Sequence, residues 1–257
     1  MKTSFFHALR LNIRCVAVLL LFFISFYNSY GQVTDDTSDK QTPEHDSSDF
    51  KLKNQLVPIG LISGGLVIEA FGWKQEMQGW FPRTNNHVDD YIQYAPIAIL
   101  YTSDLFGAKH RNNAFNQTKY LAISELATSL ITGSLKRLTH STRPNGNTLS
   151  FPSGHTSQAF TGATVLFQET KDYCLPLACS GYLFSTATGI LRVTNNKHWV
   201  SDVLAGAGIG ILVTNLVYYF EPLKNWDPFK LNGKAVIVPD IDINSGTYLV
   251  SVGILLK

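Results

Sequence analysis

Residues 200–220 read VSDVLAGAGIGILVTNLVYYF, and Asp202 is the only charged residue among them. A run this long and this apolar exceeds an ordinary strand and fits a helix. Its small residues Ala205, Gly206, Ala207, Gly208 and Gly210 would let a neighbouring helix approach closely, in lipid or in a soluble bundle. Working outward, five more apolar segments of helical length precede it, at about 56–72, 90–107, 118–135, 156–170 and 176–193. Turns that are polar, aromatic or contain Pro and Asn separate them. The expectation is an all-α core of six helices with no sheet.

Composition supports that class. The chain has 257 residues, enough to bury a core without disulfides, and its three cysteines exclude a disulfide scaffold. Charged residues are only 16% of the chain and mean hydropathy is +0.03, which fits a tight soluble bundle or a membrane protein diluted by polar segments. A formal net charge of +2 gives no reason to expect nucleic acid. That total hides an uneven distribution. Residues 1–31 carry three basic residues and no acid, residues 32–50 carry one lysine and six acids, and residues 51–257 carry seventeen basic and thirteen acidic residues.

The ends read differently from the core. Lys2, Arg10 and Arg14 with the apolar run Cys15 to Tyr27 predict an export signal over 1–31, cleaved before Gln32. Residues 32–55 read as an acidic flexible linker, too polar to offset the entropy of ordering. The helical domain is expected over 56–222. In the extension 223–257, KAVIVPDIDI and TYLVSVGIL flank Asn244-Ser245-Gly246, a pattern that predicts a short β-hairpin.

Three polar clusters interrupt the core, each at a helix boundary. KRLTHSTRP holds Lys136 and Arg143, FPSGHTS holds Ser153, Gly154 and His155, and LRVTNNKHWVSD holds Arg192, His198 and Asp202. Guanidinium forks match phosphate oxygens, and lysine adds a compact charge. Gly154 lets backbone N–H groups approach an anion at a helix start. His198 and Asp202 are four apart, so a helical turn places them on one face, where the carboxylate can hold one ring nitrogen and free the other to attack. His155 could protonate a leaving alkoxide. In an antiparallel bundle the ends of the third to sixth helices gather on one side, bringing all three clusters together.

The order Lys-x6-Arg-Pro, Pro-Ser-Gly-His, Arg-x5-His-x3-Asp resembles the signature of the type 2 phosphatidic acid phosphatases, which share a fold with vanadium haloperoxidases. The match runs from Lys136 to Pro144, Pro152 to His155 and Arg192 to Asp202; Leu191 stands where the family has serine. The resemblance implies a covalent mechanism without metal or cofactor. His198 would become phosphohistidine with Asp202 behind it, and His155 would be the acid and base. Lys136, Arg143 and Arg192 would neutralise the phosphoryl oxygens, with Ser153 and Gly154 donating hydrogen bonds. The implied substrate is a phosphorylated lipid or lipid-linked pyrophosphate. The alternatives are a soluble periplasmic acid phosphatase of broad specificity and, less favoured, a vanadate-dependent haloperoxidase. Membrane association is expected, with the site on the periplasmic side; sequence leaves the oligomeric state open.

Other residues read more plainly. His140 reads as a loop or gate residue, and Lys197 and Trp199 as packing or interface anchors. Glu69 and Glu125 would be costly in lipid and point to function there, but would need no explanation at the surface of a soluble bundle. Cys174 and Cys179 read as unpaired thiols.

Overall fold

The computed structural model describes residues 52–220, 222–226 and the strand residues 230–231, 235–242 and 247–254. The expected signal, most of the linker and the Asn244–Gly246 turn lie outside the described residues. The chain divides into two compact units between Tyr219 and Phe220.

The first unit is helical. It contains α1 (Leu56–Ala70), α2 (Lys74–Gln78), α3 (Val88–Ile92), α4 (Ala95–Leu105), α5 (Ala114–Thr139), α6 (Gly154–Thr170), α7 (Leu175–Thr194) and α8 (Val200–Tyr219). A 3-10 turn, Leu52–Gln55, leads into α1, so regular structure starts inside the stretch that sequence assigned to the linker.

The expectation of six helices needs correction. The segment expected at 90–107 is two helices, α3 and α4, and α2 has no counterpart among the six. Pro96 explains the break. It has no N–H to donate to the carbonyl of Ile92, and its ring crowds that carbonyl. The chain therefore turns at Gln93 and Tyr94, and Gln93 Nε2 donates to the carbonyl of Asp90 at 2.8 Å. α5 is longer than its apolar run because Asn113 caps it, accepting from the N–H of Asn116 at 3.0 Å.

α6 is the central helix, packed along both α7 and α8, while α1 runs along the far side of α8. Phe160, Ala163 and Phe167 of α6 meet Ala178 and Tyr182 of α7 and Ala207 and Ile211 of α8. A second cluster joins Leu100 of α4, Leu121 of α5 and Val165 and Leu166 of α6. The glycines of α8 set the spacing. A Cβ on Gly206 would lie 2.6 Å from the carbonyl oxygen of Ser153, and one on Gly208 would lie 2.6 Å from that of Pro58. Side chains at either position would force the helices apart, so the small-residue run brings α8 against α6 on one face and α1 on the other.

The second unit holds a short helix, α9 (Pro222–Asn225), and strands β1 (Lys230–Leu231), β2 (Ala235–Asp242) and β3 (Thr247–Ile254). They form an antiparallel sheet in the order β1-β2-β3, with Ala235 opposite Ile254 and Asp242 opposite Thr247.

Candidate active site

The C-terminal ends of α5 and α7 and the N-terminal ends of α6 and α8 meet at one end of the bundle. Lys136, Ser153, Gly154, His155, Arg192, His198 and Asp202 gather there, together with Arg143 from the loop after α5. His198 ends a tight turn after α7, its N–H donating to the carbonyl of Arg192 at 3.1 Å, and Asn196 has a left-handed φ of 57°. Asp202 follows one turn later in α8.

His198 Nδ1 lies 3.0 Å from Asp202 Oδ2. That oxygen also accepts from the backbone N–H of Trp199 at 3.0 Å and from the hydroxyl of Ser150. With Oδ2 of Asp202 facing the ring at Nδ1, a proton held on that nitrogen leaves the Nε2 lone pair free. His198 is 1% exposed, and burial pushes its pKa down to about 4, outweighing the opposing pull of Asp202. The ring is therefore neutral over the range in which a nucleophile is needed.

The cations surround this pair. Lys136 Nζ donates to the carbonyls of Leu149 at 2.9 Å and Ser150 at 3.0 Å, which leaves one of its three donors unassigned. Leu149 adopts a left-handed φ of 60°, an uncommon conformation for a branched residue, in the turn that presents these carbonyls. Burial, with Arg143 and Arg192 adding repulsion, lowers Lys136 to about 8. Arg143 is likewise lowered by burial and by Arg192. Arg143 Nε and Arg192 Nε are both enclosed and meet no protein acceptor. Buried donors in that condition suit an anion such as phosphate.

Ser153 caps α6, its Oγ accepting from the N–H of Thr156 at 3.4 Å, and its own N–H donates to the carbonyl of Asp202 at 3.0 Å. A Cβ on Gly154 would approach nothing closer than Lys136 Cε at 3.8 Å, so the first turn of α6 is open beside the lysine. His155 follows, its Nε2 at 3.1 Å from Asp90 Oδ1. Burial and the nearby Arg192 lower the pKa of His155, against the opposing pull of Asp90 and Asp89.

Asp89 and Asp90 are the site residues that sequence reasoning missed. Arg192 Nη1 donates to Asp89 Oδ2 at 2.7 Å, and Lys197 Nζ reaches the same oxygen at 3.1 Å. Asp89 is fully buried; burial alone would raise its pKa, but the bonds from Arg192 and Lys197 outweigh it and hold the carboxyl below the usual range. In sequence, two acids at a helix start are ordinary complements of the helix dipole. Their partners lie 65 to 108 residues away, so no local spacing marks them. Ser150 was missed for the same reason. Lys197, read as a packing or interface anchor, is the ion-pair partner of Asp89.

A cavity of about 590 Å³ adjoins the site at Arg143, lined among others by Leu66, Glu69, Lys74, Phe151 and Trp199. Glu69 is tied down rather than solvated, accepting from Ser201 at 2.9 Å and Ser141 at 3.3 Å and pairing with Lys74. Trp199 Nε1 donates to the carbonyl of Thr142 at 2.7 Å, and His140, the left-handed cap of α5, also lines this space. Cys174 and Cys179 are unpaired thiols.

Residues 117–226 match the sequence model of the PAP2 superfamily. A lipid A 1-phosphatase of Porphyromonas gingivalis is 36% identical over 151 residues, 57% of this chain and 34% of the relative. The chain thus spans about a third of that relative's length. Among solved structures, Aquifex aeolicus LpxE is similar at 24% identity, covering 52% of this chain and 84% of the other, with a TM-score of 0.42. A transmembrane PAP2 type phosphatidylglycerolphosphate phosphatase from Bacillus subtilis is similar at 19% identity and a TM-score of 0.34, covering 68% of this chain and 99% of that one.

Proposed function

We propose that this chain is a phosphatase of the PAP2 superfamily that releases inorganic phosphate from a lipid phosphate or lipid-linked pyrophosphate through a phosphohistidine. The observation that carries the reading is the His198–Asp202 pair, 3.0 Å apart, set among Lys136, Arg143 and Arg192, whose arginine Nε donors meet no protein acceptor. In this reading His198 Nε2 attacks phosphorus as the bond to the leaving oxygen breaks, and His155 gives that oxygen a proton. His155 then takes a proton from water as the water attacks phosphorus, and the N–P bond breaks to release phosphate. The three cations hold the phosphoryl oxygens throughout, with Ser153 and Gly154 at the start of α6 adding hydrogen bonds. Positioning and charge stabilisation of this kind are what phosphoryl transfer chiefly needs.

The relative acts on lipid A by name, which makes a phosphorylated lipid the first substrate class to test. Exposed apolar side chains support membrane association, and export by the expected signal would put the site on the periplasmic side. Leu56, Leu66, Phe71 and Trp73 stand out around α1, and Leu126, Leu130 and Leu138 on α5. A soluble periplasmic acid phosphatase is the second reading. It draws on α8, among the described residues the one helix long and apolar enough to cross a membrane, most of which is enclosed in the bundle.

Detergent extraction of the expressed protein, followed by phosphate release from a panel of lipid and soluble phosphoesters, separates the two. Rapid quenching with labelled substrate should trap an acid-labile phosphoenzyme in the wild type and none in His198→Ala, whose activity should fall by at least about a thousandfold. Near-full activity in His198→Ala would remove the assignment.

A further inference from the structure

Asp90 Oδ1 lies 3.1 Å from His155 Nε2, in a relationship that mirrors Asp202 and His198 across the site. The two pairs use opposite ring nitrogens, Nδ1 in His198 and Nε2 in His155. A proton held on Nε2 by Asp90 leaves Nδ1 of His155 as the nitrogen that can exchange a proton with substrate. α3, a helix of five residues, is fixed in the position this requires by Asp89, which is buried between Arg192 and Lys197. We propose that Asp90 is the positioning residue of His155, fixing its tautomer and ring orientation so that Nδ1 meets the leaving oxygen. This rests on the phosphatase reading and on His155 as its acid and base.

Asp90 is partly exposed, so its pairing with His155 contributes little to stability. Its effect is on the direction and basicity of the ring. The charged groups facing His155 are Asp89 and Asp90 on α3 and Arg192 on α7. Lys197 and His87 face Asp90 from its other side. Arg192 disfavours a protonated ring and Asp90 favours it, so removing the Asp90 charge makes His155 a poorer proton carrier at neutral and alkaline pH.

The test is kcat/KM of Asp90→Asn across phosphate esters whose leaving alcohols range from acidic phenols to simple alkanols. Loss of general-acid help should lower turnover of alkyl esters by about a hundredfold, while p-nitrophenyl phosphate, whose leaving group needs no proton, stays within about threefold of wild type. The alkaline limb for the alkyl esters should move to lower pH, and Asp90→Glu should restore part of the loss. Equal loss on both ester classes, or no loss on either, overturns the proposal. Nitrogen-15 NMR of the wild-type protein above the His155 pKa gives an independent reading. A proton on Nε2 supports the assignment and a proton on Nδ1 refutes it, whatever the variants do. His155→Ala separates the levels. If it shows no leaving-group dependence either, the acid role of His155 fails and Asp90 with it; if it does and Asp90→Asn does not, only Asp90 is wrong.

Discussion

Arg192 and Asp89 are joined by a 2.7 Å contact between Nη1 and Oδ2, both side chains almost wholly buried and 103 positions apart in sequence. The contact aims the guanidinium from behind, since Nη1 is committed to Asp89 while Nε meets no protein acceptor. Asp89→Asn should therefore leave Arg192 in place but poorly directed, with phosphate and vanadate inhibition weakened by about tenfold or more. Asp89→Ala strips a buried charge of its partner and should destabilise the fold by about 3–5 kcal/mol, read as a fall in Tm.

Lys136 predicts a pH dependence of anion binding. Burial and the neighbouring arginines lower it to about 8, so the free protein loses this cation as pH rises through that value. Inhibition by inorganic phosphate should weaken progressively above about pH 8, while Lys136→Arg, charged at every accessible pH, should flatten that dependence even if its absolute affinity falls. An unchanged dependence in the variant would assign the limb to another group.

His198 predicts a dependence of stability on pH. Its folded pKa, about 4, lies below the value near 6.5 of an unfolded histidine. The unfolded chain takes up a proton that the folded site refuses, so stability is fully present above pH 6.5 and falls as pH drops toward 4. Between pH 7 and pH 5 this should remove roughly 2 kcal/mol from the unfolding free energy in urea titrations. His198→Asn should show a correspondingly shallower dependence over the same window.

Gly206 and Gly208 allow packing to be separated from chemistry. Alanine at either meets a backbone carbonyl oxygen at 2.6 Å, that of Ser153 for Gly206 and that of Pro58 for Gly208. Both variants should lose about 1–3 kcal/mol of stability through overpacking. Only Gly206→Ala should also lower kcat/KM well below wild type at a temperature where both remain folded, because it displaces the turn that carries Ser153, Gly154 and His155. Matched activities in the two variants would contradict this.

Sequence by itself determined the helical core and eight residues of the candidate site. The small-residue run of α8 announced close packing, and each of the three clusters spans at most eleven consecutive residues across one helix boundary or junction, so Lys136 and Arg143, Ser153 to His155, and Arg192 to Asp202 could be read locally. The split of α3 from α4 was also encoded, in Pro96, but the apolar run around it masked the break. Tertiary structure alone decided what stands behind those residues. Asp89 behind Arg192, Asp90 beside His155 and Ser150 on Asp202 are pairings across 52 to 103 positions, made only when α3, α6, α7 and α8 close on one another. The physical reason is range. A helix period or a motif spacing constrains side chains a few residues apart, whereas the partner of a buried charge is chosen by which backbones the packed core brings within hydrogen-bond reach.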